Sequence, residues 1–343
     1  MVHLAPSFLA LAILGLVATV RADTGDYDIH HLPHQTDVAH GQSGVNDCIK
    51  TYGDSAPDAK CQTAVINSVT EFCLWAPQYS ATIGDRERDV VAYCTKSGFG
   101  TRLIPDGTIK GAQFRITPSY VQVTGLCDCT KINVAPGDDG GELDPHGADG
   151  SGNPVGGLVF TNAWSSDPQQ YTQVSSQSTH TASRLEGDGL ADFSFLGHPP
   201  VLDSLQIKEW SSFIGHDEFS FRACRGPNAA DYCPHIYDEQ VRLPSPKKQE
   251  AGAGEPYEAG VFEECDATEG HFPGVYKGVR WWQSNPGPVP PAHKAGVTSN
   301  CREFKGIRQR RSKNPPTQSR RRSILWGRGA VAEEEDGEAE VLH

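Results

Sequence analysis

The densest concentration of groups able to do chemistry is residues 137–157, GDDGGELDPHGADGSGNPVGG, where Asp138, Asp139, Glu142, Asp144, His146 and Asp149 stand among glycines. Three chemistries suit such a segment. Hard carboxylate oxygens on a yielding loop suit Ca²⁺, which tolerates irregular oxygen shells, although the spacing of an EF-hand is absent. Two carboxyls tuned apart by burial, or His146 with Asp144, would supply the acid and base of a secreted hydrolase, with Glu142 as the third member. No GxSxG nucleophile motif accompanies them. The third chemistry is structural: Asp and Asn side chains bond nearby backbone amides and stabilise turns. That last reading is adopted, so no residue is assigned as catalytic, no metal site is assigned, and calcium is the one cofactor the acidic loop leaves open.

A second candidate is aromatic. Trp281 and Trp282 precede a Pro-rich stretch and could stack on a sugar ring. Adjacent residues of a strand point to opposite faces, so one of the two at most faces such a ligand while the other packs inside. His30, His31, His34 and His40 lie scattered among Asp26, Asp28 and Asp37 with no helical or strand period, which reads as a solvated arm rather than a metal site.

The elements that must position these groups begin with an address. Residues 8–20, FLALAILGLVATV, match the length of a signal-peptide core and are too short to span a bilayer; Val20-Arg21-Ala22 supplies a cleavage site. Secretion is the expectation, with no membrane span. The formal charge of -13 repels phosphate backbones, so nucleic acid is not an expected partner. All ten cysteines (Cys48, Cys61, Cys73, Cys94, Cys127, Cys129, Cys224, Cys233, Cys265 and Cys301) follow the cleavage point and read as disulfide partners. No CxxC pair points to zinc, Cys127 and Cys129 look too close for an easy mutual bond, and a local staple is expected among the first four.

From Pro57 to Trp75 apolar residues recur near helical spacing, and Thr82-Ile83-Gly84-Asp85 resembles a capping box opening a second helix that runs to Cys94. After Gly98 short apolar runs alternate with Gly, Pro and Asp clusters: 108–116, 120–124, 131–134, 157–161, 219–223, 261–263 and 274–276. The fold expected is mainly β and sandwich-like, with a small disulfide-stapled N-terminal helical lobe, α+β overall. The organisation is a signal peptide at 1–22, a polar His-rich arm at 23–47, a helical lobe at 48–98, and a β-rich domain at 99–301 with long loops at 166–207 and 239–256. A basic and then acidic disordered tail follows at 302–343. The first loop carries a Ser/Thr cluster (Thr172, Ser175, Ser176, Ser178, Thr179, Thr181, Ser183) suited to O-glycosylation, and no Asn-x-Ser/Thr sequon occurs.

Several oligopeptides resemble a known family. Phe72-Cys73-Leu74-Trp75-Ala76-Pro77, Gly100-Thr101-Arg102-Leu103-Ile104-Pro105-Asp106-Gly107-Thr108 and Thr117-Pro118-Ser119-Tyr120-Val121-Gln122-Val123-Thr124-Gly125 are similar to segments of the secreted macrophage-activating glycoproteins and immunoreactive mannoproteins of basidiomycete fungi. So are Gly137 to Gly150, Gly226-Pro227-Asn228-Ala229-Ala230 and His235-Ile236-Tyr237-Asp238, while 166–207 and 239–256 depart from the pattern. The resemblance implies an extracellular or wall-associated, mannosylated, antigenic protein with no enzymatic role. The partners it implies are cell-wall polysaccharide and, through the glycan, host lectins. The alternatives kept beside it are an extracellular carbohydrate-binding module and the hydrolase described above.

Overall fold

The computed structural model describes residues 25–165, 204–235, 258–282, 290 and 293–307. The signal segment at 1–22, the Ser/Thr cluster, the 239–256 loop and the tail beyond 307 lie outside the described residues. In chain order the strands are β1 (Thr63–Ser68), β2 (Glu71–Ala76), β3 (Val91–Cys94), β4 (Arg102–Leu103), β5 (Ile109–Ile116), β6 (Tyr120–Cys127), β7 (Gly141–Leu143) and β8 (Leu158–Thr161). They continue with β9 (Leu205–Ile207), β10 (Glu209–Ile214), β11 (Glu218–Cys224), β12 (Phe262–Ala267), β13 (Val275–Tyr276), β14 (Val279–Arg280) and β15 (Thr298–Glu303).

One six-stranded sheet has the order β4-β3-β2-β1-β8-β9, and a seven-stranded sheet has the order β15-β12-β5-β6-β11-β10-β7; β13 and β14 form a small hairpin. The protein is mainly β. In the second sheet the side chains alternate as a two-faced strand requires: Phe114, Val121, Val123, Phe219 and Phe221 point to the core, and Gln113, Arg115, Gln122, Thr124, Ser220 and Arg222 take the intervening positions. The core is shared between the sheets. Phe72 of β2 stacks on Phe219 of β11 at 5.7 Å, and Trp75 of β2 lies 6.1 Å from Trp210 of β10, which meets Phe221 edge-on at 6.0 Å. A buried carboxylate crosses as well, where the Val69 N–H donates to Glu264 of β12 at 3.0 Å.

The helix expected over 57–75 is the hairpin β1–β2, turning at Val69-Thr70. Its strands are buried on both faces, so they read as nearly continuous apolar runs whose spacing imitates a helix. Thr63, Val65 and Ile66 are β-branched and favour the pleated surface. The second expected helix begins where the capping box places it. Thr82 accepts from the Asp85 N–H, but the helix α2 (Ile83–Arg86), preceded in the chain by α1 (Cys48–Tyr52), has four residues and yields to β3. Residues 131–134, expected as a strand, lie largely in a 3₁₀ turn (Cys129–Ile132) closed by Asn133 in the left-handed region. The end of the 166–207 stretch is strand β9 rather than loop.

The arm is ordered where it is described, and it covers apolar surface. Tyr27, Ile29 and Leu32 pack against the core, and the Tyr27 N–H donates to Gln206 of β9 at 2.6 Å. Gln42 Oε1 accepts from the Thr36 and Asp37 N–H groups, and Asn46 reaches the Gly156 carbonyl at 3.0 Å. Gly100, at φ +67°, packs so tightly on the Cys48 backbone that any β-carbon would collide.

Five disulfides close the described cysteines: Cys48 with Cys61, Cys73 with Cys94, Cys127 with Cys129, Cys224 with Cys233, and Cys265 with Cys301. The first four cysteines pair among themselves. Cys127 and Cys129 do bond, contrary to expectation, because the chain bends from β6 into the 3₁₀ turn between them and brings both sulfurs to one side.

Candidate functional site

The acidic segment sits at the edge of the second sheet, where β7 pairs with β10. Its carboxylates serve separate local tasks. Asp138 accepts from the Ile83 N–H at 2.8 Å and from the Gly140 N–H at 3.1 Å, so it caps α2 from 55 residues away. Asp144, buried, accepts from the N–H groups of His146 and Gly147, both at 2.7 Å. Asp149 accepts from the Ser151 hydroxyl and amide and from Arg88, and these bonds hold its carboxyl well below the usual carboxylate range. Glu142, on β7, accepts from the Ser211 hydroxyl at 3.1 Å, and Asp139 is exposed. The six groups are therefore distributed over three turns and a strand rather than gathered round one point. Among the described residues, the one set of three His, Cys or acidic side chains whose ligand atoms lie mutually within 4.8 Å is Glu263, Cys265 and Cys301, and its two sulfurs are joined to each other.

The structural role of Asp138 gives a direct expectation. Asp138→Ala leaves the Ile83 and Gly140 amides unbonded, and unfolding in denaturant should show a loss of about 1–2 kcal/mol, the usual cost of deleting a cap. Asp139→Ala, one residue on and exposed, should stay within about 0.5 kcal/mol of the parent.

His146 is brought to a place that sequence spacing does not reveal. Its Nε2 meets Glu209 Oε2 at 3.0 Å across 63 residues, and its ring stacks on His235 at 4.5 Å. The Glu209 hydrogen bond raises the His146 pKa against the opposing effect of partial burial, and Asp144 adds to the rise. Because the folded value lies above the unfolded one, about 6.5, the pair's contribution is fully present below that pH and is lost as pH rises through the folded value. His146→Gln should flatten the fall in melting temperature that the parent shows on going from pH 6 to pH 8; an unchanged slope would show that the pair contributes nothing.

The aromatic candidate is half exposed. Trp282 has 49% of its surface open, while Trp281 is partly buried and its backbone N–H donates to the Gly274 carbonyl at 2.8 Å. On strand β13 of the hairpin that precedes them in the chain, Tyr276 stacks on His293 at 4.6 Å, and His293 lies 5.1 Å from His271. A separate cavity of about 450 Å³ opens between the arm and β1, walled by Ile29, Leu32, Ile49, Val65 and Phe99, with Asp47 and Lys50 in its lining. Burial works to raise the Asp47 pKa, but the bonds from His34 at 2.6 Å and Thr51 at 3.0 Å outweigh it and hold the carboxyl low. Sequence reasoning missed this cavity, since its walls come from the arm, α1, β1 and the turn at Gly98-Phe99.

No helix among the described residues is long and apolar enough to cross a membrane. Five disulfides are the mark of a chain that folds in an oxidising, extracytoplasmic setting. No protein-family model matches the chain, and no solved structure matches it. Among characterised proteins, it is 44% identical over 261 residues to appressorium protein ROW1 of Mycosarcoma maydis, covering 76% of this chain and 51% of that protein. It is 45% identical over 304 residues to appressorium protein ROW2 of the same fungus, covering 88% of this chain and 90% of the relative. Identity at that level along nearly the whole of both chains means that this protein belongs to the fungal family of appressorium protein ROW2.

Proposed function

We propose that this chain is a secreted, O-mannosylated, non-catalytic protein of the fungal surface that serves the appressorium. The observation that carries the reading is the 45% identity to an appressorium protein over 88% of the chain. The bonding of the acidic loop supports it: Asp138, Asp144 and Asp149 hold backbone amides, as structural carboxylates do. The Ser/Thr cluster between Thr172 and Ser183 supplies acceptors for mannose, and the resemblance to antigenic mannoproteins assigns the glycan, read by host lectins, as the recognised group. Cell-wall polysaccharide is the partner at the surface.

The test is peptide mass spectrometry on the medium and wall fractions of the producing fungus, paired with imaging of a tagged chain during host contact. O-hexose on the 172–183 peptides and tag signal concentrated at the appressorium are expected. A chain retained inside the cell, or free of hexose at every Ser and Thr, overturns the corresponding half of the reading.

The half-exposed Trp282, and the stack of Tyr276 on His293, support a second reading, a carbohydrate-binding surface. Retention of the parent on β-glucan or mannan, lost in Trp282→Ala, would favour it over the first.

A further inference from the structure

We propose that the Cys265 and Cys301 disulfide is a thiol-exchange site: a small thiolate attacks Cys301, Cys265 departs beside Arg115, and strand β15 loses its covalent tie to the sheet. The five disulfides differ sharply in access. Cys48, Cys61, Cys73, Cys94, Cys127, Cys129, Cys224 and Cys233 are all buried, whereas Cys301 is exposed on β15, which ends the seven-stranded sheet. Its partner Cys265 is buried at 1% exposure, so an incoming thiol reaches one sulfur of the pair and not the other.

The buried sulfur is also the one equipped to leave. Arg115 of β5 donates from Nη1 to Cys265 Sγ at 3.4 Å and is itself oriented by Glu263, which accepts from Nη2 at 2.5 Å. A cation beside a sulfur stabilises the thiolate, and a better-stabilised leaving thiolate departs faster. The Glu263 carboxylate works in the other direction, because one of its oxygens lies within 4.8 Å of both sulfurs. Its charge opposes the thiolate even as it holds the guanidinium.

The exchange balances without another oxidant. The thiolate forms a bond to Cys301 Sγ while the bond between Cys301 and Cys265 breaks, and Cys265 carries off the electron pair as a thiolate. A second thiolate then attacks the outer sulfur of the mixed disulfide. It releases the oxidised small disulfide and leaves Cys301 reduced, so two thiols are oxidised and one protein disulfide is reduced. β15 is still held by its ladder with β12, by the bond from the Phe304 N–H to the Phe262 carbonyl at 2.8 Å, by the Asn300 amide on Asp266 at 2.8 Å and by the Arg302 ion pair with Glu264.

Glutathione serves as the probe. The full chain is incubated with it under native conditions and quenched at intervals with one alkylating label; one aliquot is denatured, fully reduced and given a second label for peptide mass spectrometry, and a parallel aliquot is digested without reduction to locate bound glutathione. Cys265 and Cys301 should open at least about tenfold faster than any other pair, with glutathione found on Cys301 and not on Cys265. Arg115→Met should slow the opening about threefold or more, following the dependence of exchange on leaving-group basicity, and Arg115→Lys should recover part of the rate. Glu263→Gln should accelerate it. A purely structural loss would accelerate opening in every variant, so opposite signs for Arg115→Met and Glu263→Gln distinguish the two. Simultaneous opening of all five pairs, earlier opening of the Cys127 and Cys129 pair, or an Arg115→Met rate equal to the parent would each overturn the proposal.

Discussion

Trp210→Ala should destabilise the protein by about 3–5 kcal/mol and lower its melting temperature by roughly 10 °C under non-reducing conditions. Trp210 is 1% exposed and stands where the two sheets meet, 6.1 Å from Trp75 and 6.0 Å from Phe221. Truncation removes a large apolar side chain from between two sheets whose hydrogen-bonded ladders fix the strand positions, so the surroundings collapse little into the void. The cost is then the transfer term plus most of the cavity term. Trp282→Ala is the internal control: with half its surface open it should cost about 0.5 kcal/mol or less. Equal losses for the two would mean that the shared core is not where stability resides.

The second large effect is expected at Arg102. This side chain is 8% exposed, and its cation is held by neutral acceptors: the Ala59 carbonyl at 2.9 Å, the Gln78 carbonyl at 2.7 Å and the Tyr93 hydroxyl at 2.7 Å. Tyr93 donates in turn to the Pro77 carbonyl at 3.0 Å, and the Asn133 amide donates to the Tyr93 hydroxyl oxygen at 2.8 Å. Burial pushes the Tyr93 pKa up, against the lowering effect of Arg102. The network ties β3 and β4 to the segment that precedes β1, to the segment that follows β2 and to Asn133, which closes the 3₁₀ turn at Cys129–Ile132.

Arg102→Met keeps the volume but leaves the buried Ala59 carbonyl without a donor and takes the cation from the Gln78 carbonyl, which keeps its bond from Asn133, so a loss of about 1–3 kcal/mol is expected from denaturant unfolding. Arg102→Lys should lose less than the Met variant yet clearly more than nothing, because an ammonium cannot reproduce the planar fork. The Tyr93 hydroxyl, freed from its cation, should titrate at higher pH in the Met variant by ultraviolet absorbance. An unshifted titration would show that the cation does not act on that oxygen.

Sequence reading succeeded where the decisive interactions are local. The strands β5, β6, β8 and β11 lie where short apolar runs between Gly, Pro and Asp clusters place them, because turn-forming residues on either side mark out a run too short for a helix. The Thr82 cap at the start of α2 was legible for the same reason, since its bond to the Asp85 amide spans three residues. The hairpin β1–β2 was not legible. Phe72, Cys73, Leu74 and Trp75 are all buried, and a strand covered on both faces has no period of two to detect.

The candidate site divides along the same line. The turn roles of Asp144 and Asp149 follow from amides two or three residues on, and the Asp-rich loop announced them. Asp138 at the foot of α2, His146 on Glu209, and Arg115 beside the Cys265 sulfur join residues 55, 63 and 150 apart. No short-range pattern encodes those contacts.

By itself, then, the amino-acid sequence determined that this is a β-rich, disulfide-bonded chain bearing the marks of secretion, with Asp-built turns and a capped short helix. Each of those rests on composition or on neighbours within a few positions. Only the tertiary structure decided which cysteines pair, that the first lobe is sheet rather than helix, that the arm covers apolar surface, and which sulfur lies open beside a guanidinium. Those outcomes depend on which strands become neighbours. That choice is made by burying Phe72, Trp75, Trp210 and Phe219 in one shared core, a free-energy gain distributed over residues far apart in the chain.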